Sequence, residues 1–285
     1  MAIVDFILNL AALLLWLSWR SAHLDPLANS TPATLMGTLK KTEPARFKGS
    51  QFLAGLVLLL LLRAFVYWEL GSPVDWTPKL NLGFIVLAFR SQAFTTVALY
   101  SLLSYLRFHV IFYFWLLLLT VANRSTAMPD PITKLVRLHL GRIARWPGVA
   151  QLLIPCLLAA GLWFAFHFLL VHSGVTARVN SPAHLAGQAC LIATALWLSL
   201  KYLLPLLLML HLINSYVFFG NNPFWDFVSS TSRALLLPLG RLPLRVGRLD
   251  LTPLVGALLV LLLLHWLPNF AAGQLARRNL TMWPQ

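Results

Sequence analysis

The chain has 285 residues, of which 59% are hydrophobic and only 11% charged, with 22 Lys and Arg against 8 Asp and Glu. A soluble domain carries about 25% charged residues, so a chain this apolar lacks the polar surface for an ordinary water-soluble fold. The formal net charge of +14 is concentrated between apolar runs, where it speaks for membrane topology and anionic headgroups rather than for nucleic acid.

Six membrane-spanning helices are predicted in chain order, at 2–19, 51–69, 95–121, 150–171, 187–217 and 251–269. Each comes close to the roughly 20 apolar residues needed to cross about 30 Å of hydrocarbon, several by borrowing interfacial Trp, Tyr, Arg or His. In the first, Asp5 is the only charge before Arg20. Without a positive n-region or an Ala-x-Ala site, it reads as a retained helix rather than a cleaved leader. Arg63 closes the apolar run 52–62 beside Trp68 and Glu69, a setting in which a long stem is expected to snorkel to the interface. The segment 80–93 is a short or re-entrant candidate, but a seventh crossing would break the charge alternation, so it is read as interfacial. Arg107 falls inside the third span, and Lys201 and Asn214 inside the fifth, with Pro205 four residues after the lysine. These three are the candidate interior polar groups. None of the acids falls at mid-span, which weakens a proton-coupled carrier. Cys156 and Cys190 both lie in apolar helices and are expected to be free thiols.

Fourteen of the 22 basic residues fall in three links, 20–51, 124–150 and 221–250. With six spans these links share one side, which the positive-inside rule makes cytoplasmic, leaving both termini periplasmic in a bacterial inner membrane. Each link opens on the same chemistry: Asp25-Pro26, Asp130-Pro131 and Asn222-Pro223. An Asp or Asn before Pro suits a helix start, the side chain capping and the proline fixing φ. Asp250, before Leu251-Thr252-Pro253, is expected to cap the last span. The recurrence predicts an all-α polytopic protein of three tandem hairpins, 1–70, 80–172 and 186–270, with a tail at 271–285. Amphipathic helices in the links would lie in the membrane plane. Lys40, Lys41, Arg137, Arg142, Arg145, Arg241, Arg245 and Arg248 would then face anionic lipid or a membrane partner.

The third unit carries a further signal. Asn222-Pro223 is followed by Thr231-Ser232-Arg233, then Pro238, Arg241, Leu242-Pro243 and finally Asp250-Leu251-Thr252-Pro253. This order resembles the YggT family of integral membrane proteins over 205–262, with degenerate copies upstream, of which Thr42-Glu43-Pro44 keeps one step. Arg233 stands where the family pattern has proline, and typical members have one or two hairpins rather than three. The resemblance implies a membrane protein without catalytic activity, acting as a scaffold or assembly factor beside other membrane proteins or copies of itself.

No Gly-rich phosphate loop, nucleophile–base arrangement or zinc spacing is present, so neither an enzyme nor a cofactor is expected. Two other classes remain open. A small-solute or ion pathway would be lined by Arg107, Lys201 and Asn214. A haem-binding electron-transfer subunit would have to bring together His109, His167, His211 and His265, for which the sequence supplies no ligand spacing.

Overall fold

A computed structural model describes residues 2–24, 49–125, 131–176, 178–179, 181–217, 220, 222–237, 245–246 and 249–277. They are helical almost throughout, and six helices are long and apolar enough to cross a membrane. The chain is an all-α polytopic membrane protein. Its helices are α1 (Ala2–Leu24), α2 (Gly49–Gly71), α3 (Phe94–Ala122), α4 (Pro131–Leu140), α5 (Gly148–His172), α6 (Pro182–Leu198), α7 (Leu200–Tyr216), α8 (Pro223–Leu236) and α9 (Thr252–Arg277). The described residues also form two small hairpins: β1 (Lys79–Asn81) with β2 (Val86–Ala88), and β3 (Arg245–Val246) with β4 (Leu249–Asp250).

The chain divides into two compact units, one of Met1–Pro78 with Ala88–His109, the other of Lys79–Leu87 with Val110–Gln285. In the first unit α1 packs along α2. Ala12, Leu56 and Tyr105 form its core, with Leu15, Trp16, Leu53, Leu59 and Leu60 packed around them. A small residue such as Ala12 lets two backbones approach, which matters where lipid gives helices no hydrophobic drive to associate. At the end of α2, a Cβ on Gly71 would lie 2.9 Å from Ser91 Cβ, so only glycine admits the following loop this closely.

In the second unit α5 packs on α6, α7 on α9, and α8 on α7, with α4 against α8. Leu208, Leu236 and Ala257 form the core where α7, α8 and α9 meet. Helix α8 starts as its residue types dictate. Asn222 Oδ1 accepts from Phe224 N at 3.0 Å and Pro223 occupies the first turn, satisfying one of the orphan donors of a helix start. Both link helices are amphipathic. Helix α8 buries Phe227, Val228, Thr231, Ser232 and Leu236, while α4 buries Thr133 and Leu140 and leaves Leu135 and Leu138 exposed.

One segment departs from the sequence reading, and a second, read as not crossing, adds a hairpin the sequence did not announce. The predicted fifth span is a longer apolar stretch of 35 residues, Pro182–Tyr216, interrupted at Ser199. There Ser199 Oγ donates to Leu196 O at 2.6 Å, and Tyr202 N bonds Ser199 O at 3.2 Å, a three-residue closure that interrupts the regular four-residue ladder. Pro205 deprives α7 of one more N–H, the bond that would reach Lys201. The segment 80–93 holds no crossing helix. It contains most of the β1–β2 hairpin, whose turn closes with Leu82 N on Ile85 O at 2.7 Å.

Candidate functional site

Charge is costly in a spanning segment unless it is paired, and the first unit contains such a pair. Arg63 lies on α2 with its side chain 1% exposed, and its Nη2 donates to Asp5 Oδ1 on α1 at 2.6 Å. Nη1 donates to Asn9 Oδ1 at 2.8 Å, and Nη2 also reaches Ser104 Oγ on α3 at 3.2 Å. Asn9 Nδ2 closes the ring by donating to Ser104 Oγ at 3.0 Å.

Two tyrosines complete the carboxylate's shell. Tyr67 Oη donates to Asp5 Oδ1 at 2.7 Å and Tyr100 Oη to Oδ2 at 3.1 Å. Both rings also face the guanidinium, at 5.5 and 5.2 Å from its carbon, the range of a cation–π contact. The cluster is therefore neutral in sum and hydrogen-bonded across three helices. Arg63 Nε alone among its nitrogens is buried without a partner.

This overturns the snorkelling expectation: Arg63 is enclosed, because Asp5 lies within reach on the neighbouring helix. It also draws one of the eight acids, near the start of α1, into a part-buried side-chain cluster. The signal was present as three i, i+4 polar pairs in apolar helices: Asp5 and Asn9, Arg63 and Tyr67, Tyr100 and Ser104. That spacing puts each pair on one helix face.

A second polar cluster fastens the link helices. Asn123, buried just beyond α3, donates through Nδ2 to Thr231 Oγ1 at 2.7 Å and accepts from Ser230 Oγ at 3.2 Å. Its backbone carbonyl accepts from Arg137 Nη2 at 3.2 Å. Asn214 Nδ2 donates to Ser229 Oγ at 3.0 Å, and Ser232 Oγ to Leu207 O at 3.2 Å. The run Ser229-Ser230-Thr231-Ser232 thus ties α8 to α3 and α7. Asn214, a candidate interior polar residue, is half-buried and engaged in this tie. Arg137, a candidate headgroup ligand, is half-buried and engaged at the end of α3.

Arg142 and Arg145 are exposed, on the turn Gly141–Arg145 after α4. The turn is held from behind by buried Gln151, whose Nε2 donates to Ile143 O at 3.0 Å and Ala144 O at 2.9 Å. Lys134, Leu135, Leu138 and Trp146 are exposed beside it. Arg107 and Lys201 are exposed as well, so neither is enclosed among side chains; Lys201 Nζ lies 5.0 Å from the Tyr202 ring. A lysine at the centre of a span costs about 2.5–3.5 kcal/mol on insertion scales. Asp25, Lys40, Lys41, Asp130, Arg241 and Arg248 lie outside the described residues. Arg245 and Asp250 are opposite one another in the β3–β4 ladder.

Cys156 and Cys190 are free. His109 meets Trp16 edge-on at 5.0 Å and Tyr105 at a tilt, and His167 lies tilted against Trp163. Among the described residues no three His, Cys, Asp or Glu side chains come together as metal ligands. No family model, curated protein or solved structure matches the chain.

Proposed function

We propose that this protein is a non-enzymatic scaffold or assembly factor of the YggT type, set in a bacterial inner membrane with its termini periplasmic. One observation carries the reading: four of the six spans bury few of their residues. In α1, α2 and α9 only 17% of the residues of the apolar stretch are buried, and in α5 22%, against 50% in Pro182–Tyr216. Outward-facing Ile3, Leu58, Leu157, Phe168, Leu263 and Trp266 leave wide apolar faces on which partner spans can pack. The buried polar groups of the Arg63 and Asn123 clusters meanwhile bond one another, as fasteners do. Anionic lipid would meet the exposed Lys134, Arg142 and Arg145. Purification of tagged protein in nanodiscs, followed by identification of what accompanies it, tests this. A stoichiometric membrane protein or a defined homo-oligomer is expected; bulk lipid alone around a monomer would overturn it.

A second reading, a path for small solutes or ions, is favoured by one feature: the interruption of the fifth span at Ser199, two residues before exposed Lys201. Discontinuous helices of this kind bind substrates and ions in many carriers. Flux through reconstituted vesicles, abolished by Lys201→Met, would select it over the scaffold.

A further inference from the structure

The hairpin of β1 and β2 contacts its unit in an unexpected place. Gly83, at its tip, has φ +97°, and a Cβ added there would lie 2.7 Å from Ala195 Cβ and 3.4 Å from Leu198 Cδ1. Ala195 and Leu198 are four residues and one residue from Ser199, the middle of the 35-residue span Pro182–Tyr216. About 25 Å of helix extends on either side of that point, against a hydrocarbon half-thickness of about 15 Å. Trp115 and Phe114 from α3 reach the same level, the indole Nε1 donating to Ser199 Oγ at 3.0 Å and the phenyl ring meeting Trp197 at 5.3 Å.

The strands are two-faced. Leu80, Ile85 and Leu87 are buried, whereas Lys79, Asn81, Val86 and Ala88 are exposed. Extended backbone at membrane depth survives only when covered by protein or wetted by a cavity. Asn81 Oδ1 already accepts from Gly83 N at 2.8 Å, but the outer backbone edge and the Lys79 ammonium still require solvation. Lys201 has the same requirement on the span itself, within one turn of Leu198, and among the described residues no carboxylate meets it. The hairpin and the Pro182–Tyr216 span contain no Asp or Glu at all.

We infer that the segment Lys79–Leu87 is a re-entrant hairpin lining a water-filled, cation-rich vestibule that ends near Lys201 and admits small inorganic anions. The anions supply the countercharge that the described residues around Lys79 and Lys201 do not. This goes beyond the scaffold reading and stands or falls separately from it, because a vestibule closed at one end needs no transport.

Single cysteines at Asn81, Lys79 and the exposed loop position Ser72, with Cys156 and Cys190 changed to Ala, test it in native membranes. Asn81→Cys should react with small charged methanethiosulfonates but resist a maleimide carrying a long polyethylene glycol chain, which should label Ser72→Cys readily. The anionic reagent should outpace the cationic one at position 81, and adding Lys201→Gln should slow the anionic reagent several-fold while sparing the cationic one. Reaction of Asn81→Cys with the bulky maleimide as fast as Ser72→Cys would put the hairpin at the surface and overturn the inference. So would silence toward every aqueous reagent. An unchanged preference in the Lys201→Gln background would overturn its anion part. Should Asn81→Cys fail to accumulate, Lys79→Cys supplies the same comparison at the other exposed polar position of β1.

Discussion

Arg63 holds three side chains on two other helices, so its loss would be felt as an orphaned carboxylate more than as a missing contact. Replacing it with Met leaves Asp5 inside the bundle with only the Tyr67 and Tyr100 hydroxyls to solvate it. A loss of about 3–5 kcal/mol is expected, the usual cost of removing one half of a buried pair, measured by unfolding in mixed SDS and detergent micelles. Asp5→Asn combined with Arg63→Met should be more stable than Arg63→Met alone. Strictly additive losses would show that the two groups are not coupled. The i, i+4 spacing marks a polar face on each helix, but nothing in the local sequence joins Asp5 to Arg63, because they are 58 residues apart. Asn222 differs: its capping role depends on the residues directly after it, and the Asn-Pro step made it legible.

At the level of elements, the helices were readable and the irregular pieces were not. Apolar run length is a property of the sequence itself and set the spans to within a few residues, apart from an extra turn or more in the fifth. Ser199, at the interruption, accepts from Trp115, a residue 84 positions away, and no window around Ser199 contains that partner. The β1–β2 hairpin was obscured for a related reason. Its alternation is short, and the approach of its tip, Gly83 to Ala195, joins positions 112 residues apart. Gly83 is the position on which this packing turns. Gly83→Ala should cost about 1–3 kcal/mol, from an L side chain forced into positive φ and from the collision with Ala195. A thermal scan in detergent checks this, and an unchanged midpoint would mean that the tip does not bear on α6.

For the molecule as a whole, the cationic links were the strongest message in the chain, and they concern orientation. Reporter fusions after residues 140 and 240 are expected to act in the same compartment, and a fusion at the C-terminus in the opposite one. Discordant signals from the two links would dismantle the six-span arrangement. Contact pairs α1 with α2 and α7 with α9 join neighbouring spans across a link, whereas α5 packs chiefly along α6, the helix that follows it through a short turn. Sequence periodicity gives no means of choosing between these partners, since both faces of α5 are equally greasy.

Gln151 carries a consequence for recognition. By gripping two carbonyls of the preceding turn, it fixes the backbone that bears Arg142 and Arg145 before anything binds. On the proposed lipid-facing role, a headgroup phosphate would meet two guanidinium stems on an ordered chain, and the loss of freedom on capture would be confined to side-chain torsions. Selection by that turn would then follow headgroup geometry as well as charge.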